Sequence, residues 1–172
     1  MGLRKYAEAK LGAGAWDKLL AEANLDGNIY YAVSNYPDHN MVRLVGAAAR
    51  ITGLTGAAIL EDFGQSLVPE LVTLYKPLIR STWKTIDLLE NTEELIHSVV
   101  RVRNEGASPP QLKVDRLAHG ELRIVYTSAR RMCSLLKGIV RGIAALYGEK
   151  VTLDEVACMQ QEANRCEFLV RV

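Results

Sequence analysis

The sequence predicts an α+β fold in which an N-terminal helical part packs on a C-terminal antiparallel sheet carrying one long helix. Three observations predict it. Apolar residues recur at helical spacing through the front of the chain, cut by glycine and proline. After Pro109-Pro110 the period changes to two, and an apolar helical stretch then precedes two more strand-like tracts. Helices followed by hairpins, rather than helices alternating with strands, is the α+β order.

Residues 3–23 read as helix, with Tyr6, Leu11, Trp16, Leu19 and Leu20 as apolar members and a break at Gly12-Ala13-Gly14. Residues 24–28 form a loop, and 28–34 are rich enough in Tyr and Val for a short extended piece. Tyr36-Pro37-Asp38 is a turn whose Asp38 caps the next helix, which runs through Met41, Leu44, Val45, Ala48 and Ile51 to Gly53. Thr55 caps another through Ile59, Leu60 and Phe63, continuing past Gly64 to about Tyr75, where Pro77 interrupts it.

Residues 81–103 are again helical, with Trp83, Ile86, Leu89, Ile96 and Val100 on one face. His97 lies at the edge of that face, beside Glu90, Glu93 and Arg101. After the segment from Gly106 to Pro110, Leu112 and Val114, then Leu122, Ile124 and Tyr126, alternate around Gly120 as an antiparallel hairpin. Residues 132–147 form a helix ended by Gly148, and 151–153 and 167–172 are strand-like.

Composition bounds the function. A length of 172 residues reads as one domain, with a helical part over about 1–80 and a ligand-helix and sheet part over about 81–172. Hydrophobic residues make up 49% and charged residues 24%, as in ordinary globular folds. A net charge of +1 gives no support to a nucleic-acid or membrane-surface role. No apolar run approaches the roughly 20 residues of a membrane span and no signal-peptide core follows the start, so the chain reads as cytoplasmic. Three cysteines suit a reducing compartment better than a disulfide framework. Nothing forms a nucleophile–base pair or a phosphate-cradling loop, so the chain reads as a non-enzyme.

The tract Tyr126-Thr127-Ser128-Ala129-Arg130 carries the chemistry. In an extended strand Tyr126, Ser128 and Arg130 project from one side and Thr127 and Ala129 from the other, with Arg131 directed elsewhere. A phenol, a hydroxyl and a guanidinium on one face suit a polyoxygen anion. His97 offers a metal ligand, although a lone helical histidine is as well explained by pairing with Glu93 or Glu94. A ligand that is both a metal and a dianion, such as haem, satisfies both elements.

This spacing, with His97, Gly106-Ala107-Ser108-Pro109-Pro110 and then Tyr126-x-Ser128-x-Arg130, resembles the H-NOX family of haem nitric oxide/oxygen binding domains. The resemblance extends to Gly12, Trp16, the Tyr36-Pro37-Asp38 turn and the Cys158 to Cys166 segment. It implies haem b lying between the two parts of the fold, His97 as the iron ligand, and Tyr126, Ser128 and Arg130 on the propionates. Pro110 matches the proline that presses on and distorts the haem. The opposite wall is expected from Leu3, Leu67, Val68, Leu71, Leu135 and Ile139, all apolar. Members that hold dioxygen place a tyrosine near the Leu135 position. A leucine there resembles the nitric-oxide-selective branch, with carbon monoxide as a further ligand. The chain starts a few residues later than family members usually do, which implies a shorter first helix over the haem.

The resemblance also implies a sensor that signals to a separate protein, such as a histidine kinase or a cyclic-dinucleotide enzyme, when gas binding frees His97 and the haem relaxes against Pro110. A subset of the family binds structural zinc with three cysteines and a histidine. Cys133, Cys158 and Cys166 match, but Glu155 stands where that histidine would be. Two readings from other classes stand beside the sensor. One is a haem-free 4-vinyl-reductase-like regulatory module that binds a small apolar ligand or a protein, which would not need His97, Tyr126, Ser128 and Arg130 together. The other is a zinc or thiol redox sensor centred on the three cysteines.

Overall fold

The protein is seen in a computed structural model, which describes residues 2–27, 37–103 and 107–172. The expected extended piece at 28–34, Tyr36 of the turn and Gly106 lie outside the described residues.

The front of the chain is helical: α1 (Leu3–Leu11), α2 (Ala15–Glu22), α3 (Asp38–Thr52) and α4 (Gly56–Leu74). Gly12 and Gly14, at φ 90° and 77°, make the break between the first two. Gly53, at φ 72°, closes α3 with its N–H on the Ala49 carbonyl, and the Thr55 hydroxyl accepts from the Ala58 N–H at 3.2 Å to start α4. Asp38 corrects the expectation of a cap. Pro37 holds the position before the helix and Asp38 is its first residue, so its carboxylate turns outward to Arg130 Nε at 2.8 Å.

The expected helix over residues 81–103 is divided. Beyond a 3-10 turn at Lys76–Leu78 come α5 (Thr85–Asn91), a π-helical segment Thr92–His97, and α6 (Ser98–Arg103). Side chains compete for the backbone here. Asn91 donates to the Asp87 carbonyl, Thr92 to that of Leu88 and Ser98 to that of Glu94, which loosens the regular ladder where it widens. His97 ends the widened turn.

Four antiparallel strands follow, β1 (Gln111–Ala118), β2 (Glu121–Thr127), β3 (Thr152–Ala157) and β4 (Cys166–Arg171), in the order β1-β2-β4-β3. Register puts Leu122 opposite Val170, Ile124 opposite Phe168 and Tyr126 opposite Cys166. All six are buried on one face. The long helix α7 (Cys133–Leu146) completes the main core, in which α4, α5 and the sheet also share. Each large apolar side chain buried there contributes roughly 1.5–3 kcal/mol. A separate small cluster of Ala7, Trp16, Leu19, Leu20, Leu44 and Ala47 unites α1, α2 and α3.

Helices α4 and α7 cross in close contact because glycines on both leave room. A Cβ on Gly138 would lie 1.9 Å from the Glu61 carbonyl oxygen, and one on Gly64 would lie 2.4 Å from that of Leu135. Among the described residues no single helix is long and apolar enough to cross a membrane, and α3 with α4 are bent by 106°.

Candidate functional site

A cavity of about 280 Å³ opens between α4, the α5-to-α6 run, the β1–β2 hairpin and α7. Its wall is apolar, from Val68, Leu71 and Val72 on α4 to Leu135, Leu136, Ile139 and Ile143 on α7. His97, Pro109, Pro110, Tyr126, Ser128 and Arg130 line the same space. The fold thus brings onto one cavity most of the residues singled out from the sequence. Leu3 and Leu67 are elsewhere: Leu3 packs against the small N-terminal cluster, and half-buried Leu67 is not part of the lining.

His97 has its side chain 16% exposed, with Nδ1 2.8 Å from Glu93 Oε2. Glu93 also accepts from the Arg101 guanidinium and, at 3.1 Å, from the Leu112 N–H at the start of the hairpin. Burial pushes the Glu93 carboxyl upward, yet the hydrogen bonds from His97, Arg101 and Leu112 outweigh it and hold the group below its ordinary value. Of the two carboxylates that could pair with His97 by sequence, Glu93 makes the contact. That pairing does not remove His97 from the cavity wall.

The tract at Tyr126 corrects the expectation of a strand running to Arg130. Strand β2 ends at Thr127, and a turn follows in which the Arg131 N–H meets the Ser128 carbonyl and Arg131 adopts φ 50°. Pairing partners run out. Opposite Thr127 stands Gln111, just after Pro110, which has no N–H to extend the ladder, and β4 begins at Cys166 opposite Tyr126. Ser128 and Arg130 nevertheless face the cavity, while Thr127 and Ala129 do not line it. Ser128 Oγ accepts the Arg130 N–H, and buried Tyr126 Oη accepts the Met132 N–H at 3.2 Å. Burial pushes the Tyr126 phenol up despite its hydrogen bonds to Ser128 and Met132, so it remains a neutral donor.

The three cysteines lie together beneath the sheet. Their sulfurs are within 4.8 Å of one another, Cys133 Sγ is 3.7 Å from Cys158 Sγ, and all three are buried and free. Burial pushes the Cys133 and Cys158 thiols up. Glu155 is not one of this close group. It stands 3.5 Å from Lys137 Nζ, which also pairs with Glu61 at 3.3 Å.

Three features of the site are not legible in the sequence. Glu93 stands out there only as a pairing partner for His97, and its contact with Leu112 arises from folding. Tyr75 and Ile79 reach the cavity from beyond α4, where Pro77 signals only a break. Met132 lines it just before α7; its place between the arginine pair and Cys133 is the available signal.

Comparison with known proteins places the fold. No curated protein sequence matches the chain. A crystal structure of an H-NOX protein from S. oneidensis in the Fe(II)NO ligation state is similar with a TM-score of 0.90 and 21% identity, covering 98% of this chain and 94% of that one. An NMR structure of an H-NOX domain from Shewanella oneidensis in the Fe(II)CO state gives 0.88 and 20%, with 99% and 94% covered. The Fe(II) unliganded H-NOX protein from K. algicida gives 0.84 and 19%, with 97% and 90% covered. At such identities the likeness is one of fold. The model of the haem-NO-binding family matches residues 2–155, and on that match, which spans most of the sequence, the chain belongs to the haem-NO-binding family.

Proposed function

We propose that this protein is a haem-based sensor of nitric oxide that holds haem b through His97 and reports to a separate signalling protein. The observation that carries the reading is an imidazole on the wall of an apolar cavity that also presents a phenol, a hydroxyl and a guanidinium. The residues fit the group. With Nδ1 of His97 engaged by Glu93, Nε2 is the nitrogen left to ligate. Arg130 spends Nε on Asp38, which leaves its terminal nitrogens for a carboxylate.

When bound, haem supplies a ferrous iron that can take a diatomic gas. The chain's own residues govern selectivity and response. Tyr126, Ser128 and Arg130 orient the anionic edge, and Pro109-Pro110 give a stiff wall with a fixed backbone. Val68, Leu71, Leu135 and Ile139 keep the facing wall dry and free of hydrogen-bond donors. Dioxygen, which gathers negative charge on binding, gains from a donor far more than nitric oxide or carbon monoxide does. The widened turn ending at His97 is the element able to move, being a short π-helical segment set between two α-helices. Its shift is the signal passed to the partner, for which a histidine kinase or a cyclic-dinucleotide enzyme is the class the family resemblance supports.

The test is the absorption spectrum of the reduced protein with each gas. One haem per chain is expected, with a Soret band that moves on adding nitric oxide and is unchanged by dioxygen. A band that responds to dioxygen would overturn the selectivity and direct attention to Tyr75, a cavity-lining phenol outside the apolar wall. Failure to take up haem on reconstitution would overturn the whole reading in favour of a haem-free binding module.

The cysteine cluster supports a second, structural role. Tetrahedral zinc with Zn–S near 2.3 Å sets neighbouring sulfurs roughly 3.8 Å apart, and Cys133 and Cys158 already stand at 3.7 Å. Glu155 meets Lys137 through one carboxylate oxygen at 3.5 Å, which leaves the other to complete such a set. Metal analysis should find about one zinc per chain, lost on oxidising the thiols. Three freely titrating thiols in metal-replete protein would exclude it.

A further inference from the structure

Glu93 sits four residues before His97 inside the widened turn, and three donors converge on its carboxylate: His97 Nδ1–H, the Arg101 guanidinium and the Leu112 N–H. A carboxylate only accepts hydrogen bonds, so a neutral imidazole can pair with it only through a protonated nitrogen. That fixes the tautomer. The proton stays on Nδ1, the lone pair stays on Nε2, and the ring is held in a single orientation on the cavity wall.

We propose that Glu93 is the positioning residue of the site, tuning how strongly His97 grips the haem iron, with Arg101 setting how much of the carboxylate's charge reaches the ring. The proposal rests on the haem reading and deepens it. A hydrogen-bonded carboxylate behind a ligating histidine lends the ring anionic character and raises its basicity, so the bond to iron strengthens and a gas on the far side displaces His97 less readily. Arg101 draws on the same carboxylate, through the oxygen that His97 does not use. It therefore competes for charge. The Leu112 N–H shares His97's oxygen and ties the device to the first strand, two residues after Pro110.

The alternative is that Glu93 merely staples the turn to the hairpin, and the two roles differ in sign. On the proposal, Glu93→Gln, which keeps the shape and an acceptor but removes the charge, lowers the iron–histidine stretching frequency of the reduced, gas-free protein. It also raises the fraction of nitrosyl protein in which His97 is displaced, and speeds haem loss about 10–100-fold. Arg101→Ala, at a side chain 38% exposed, frees charge for the ring and moves the stretching frequency the other way. A staple predicts no opposed shift, since both changes loosen the same contact. Resonance Raman on wild type and the two variants decides it. Wild-type frequencies in both, or shifts in the same direction, overturn the proposal while leaving the haem reading intact. Absence of haem in wild type overturns the reading and the proposal together.

Discussion

Replacing His97 by alanine should abolish the ligation signature of the reduced protein and accelerate haem loss by more than about 100-fold, while leaving the fold standing. The size rests on a comparison of roles. Removing even the outer partner of a metal-ligating histidine costs about 10–100-fold, and removing the ligand itself must cost more. The fold survives because His97 is only one of three donors on Glu93, and the Arg101 guanidinium and the Leu112 N–H remain to satisfy that carboxylate. Loss of one part-buried hydrogen bond is worth about 1 kcal/mol, so the melting temperature of the haem-free protein should fall by no more than a few degrees. Adding imidazole tests the assignment directly. It should enter the space vacated beside the cavity and restore a nitrogen-ligated spectrum without restoring the link to the chain. If His97 served only to pair with Glu93, the same small change in stability would come with haem binding unchanged.

The contrast between His97 and its surroundings marks where the sequence is legible. Helices α1 to α4 follow from periodicity and punctuation because Gly12, Gly53 and Thr55 act through their own backbone or the next turn, without help from the rest of the fold. The hairpin is legible for the same reason, since Leu122, Ile124 and Tyr126 alternate within one strand. What the sequence hides is decided between elements. The period-two pattern continues through Ser128 and Arg130, but strand pairing ends with the partners at Gln111 and Cys166, which sequence alternation cannot register. The widened turn at Thr92–His97 depends on which side chains win the carbonyls of Asp87, Leu88 and Glu94. Asp38 is a plausible cap by type, yet Pro37 before it and Arg130 far along the chain draw it into an ion pair. A family motif marks the residues of the cavity, and only the packing of α4, α7 and the hairpin brings them onto one space. Leu3, assigned by position in the same way, lies instead with Trp16 and its neighbours.

Gly138→Ala should be the most damaging single-methyl change in the α4–α7 seam, and the reason sets two opposed effects against each other. Alanine is the better helix former by about 1 kcal/mol, which alone would stabilise α7. The added Cβ, however, would lie 1.9 Å from the Glu61 carbonyl oxygen, 2.7 Å from its carbon and 2.9 Å from its Cα. All three are backbone atoms of α4, so no rotamer change relieves the contact and the helices must separate. Overpacking of this kind costs typically about 1–3 kcal/mol and occasionally more, and with three backbone atoms in the way the clash wins. With the clash near the top of that range and about 1 kcal/mol regained from propensity, a net loss of about 2 kcal/mol corresponds to roughly 4–8 °C in melting temperature for a chain of this length. Gly46→Ala in α3 is the matched control. Its Cβ would meet only the Arg50 side chain at 3.6 Å, so helix propensity acts unopposed and the protein should gain about 0.5–1 kcal/mol. The seam also walls the cavity, with Val68 and Leu71 on one helix and Leu135 and Ile139 on the other. Spreading it should widen that space and speed haem loss in Gly138→Ala while Gly46→Ala retains haem as wild type does. Equal melting temperatures for the two variants would show that the seam yields without cost and that its glycines do not set the spacing of the cavity walls.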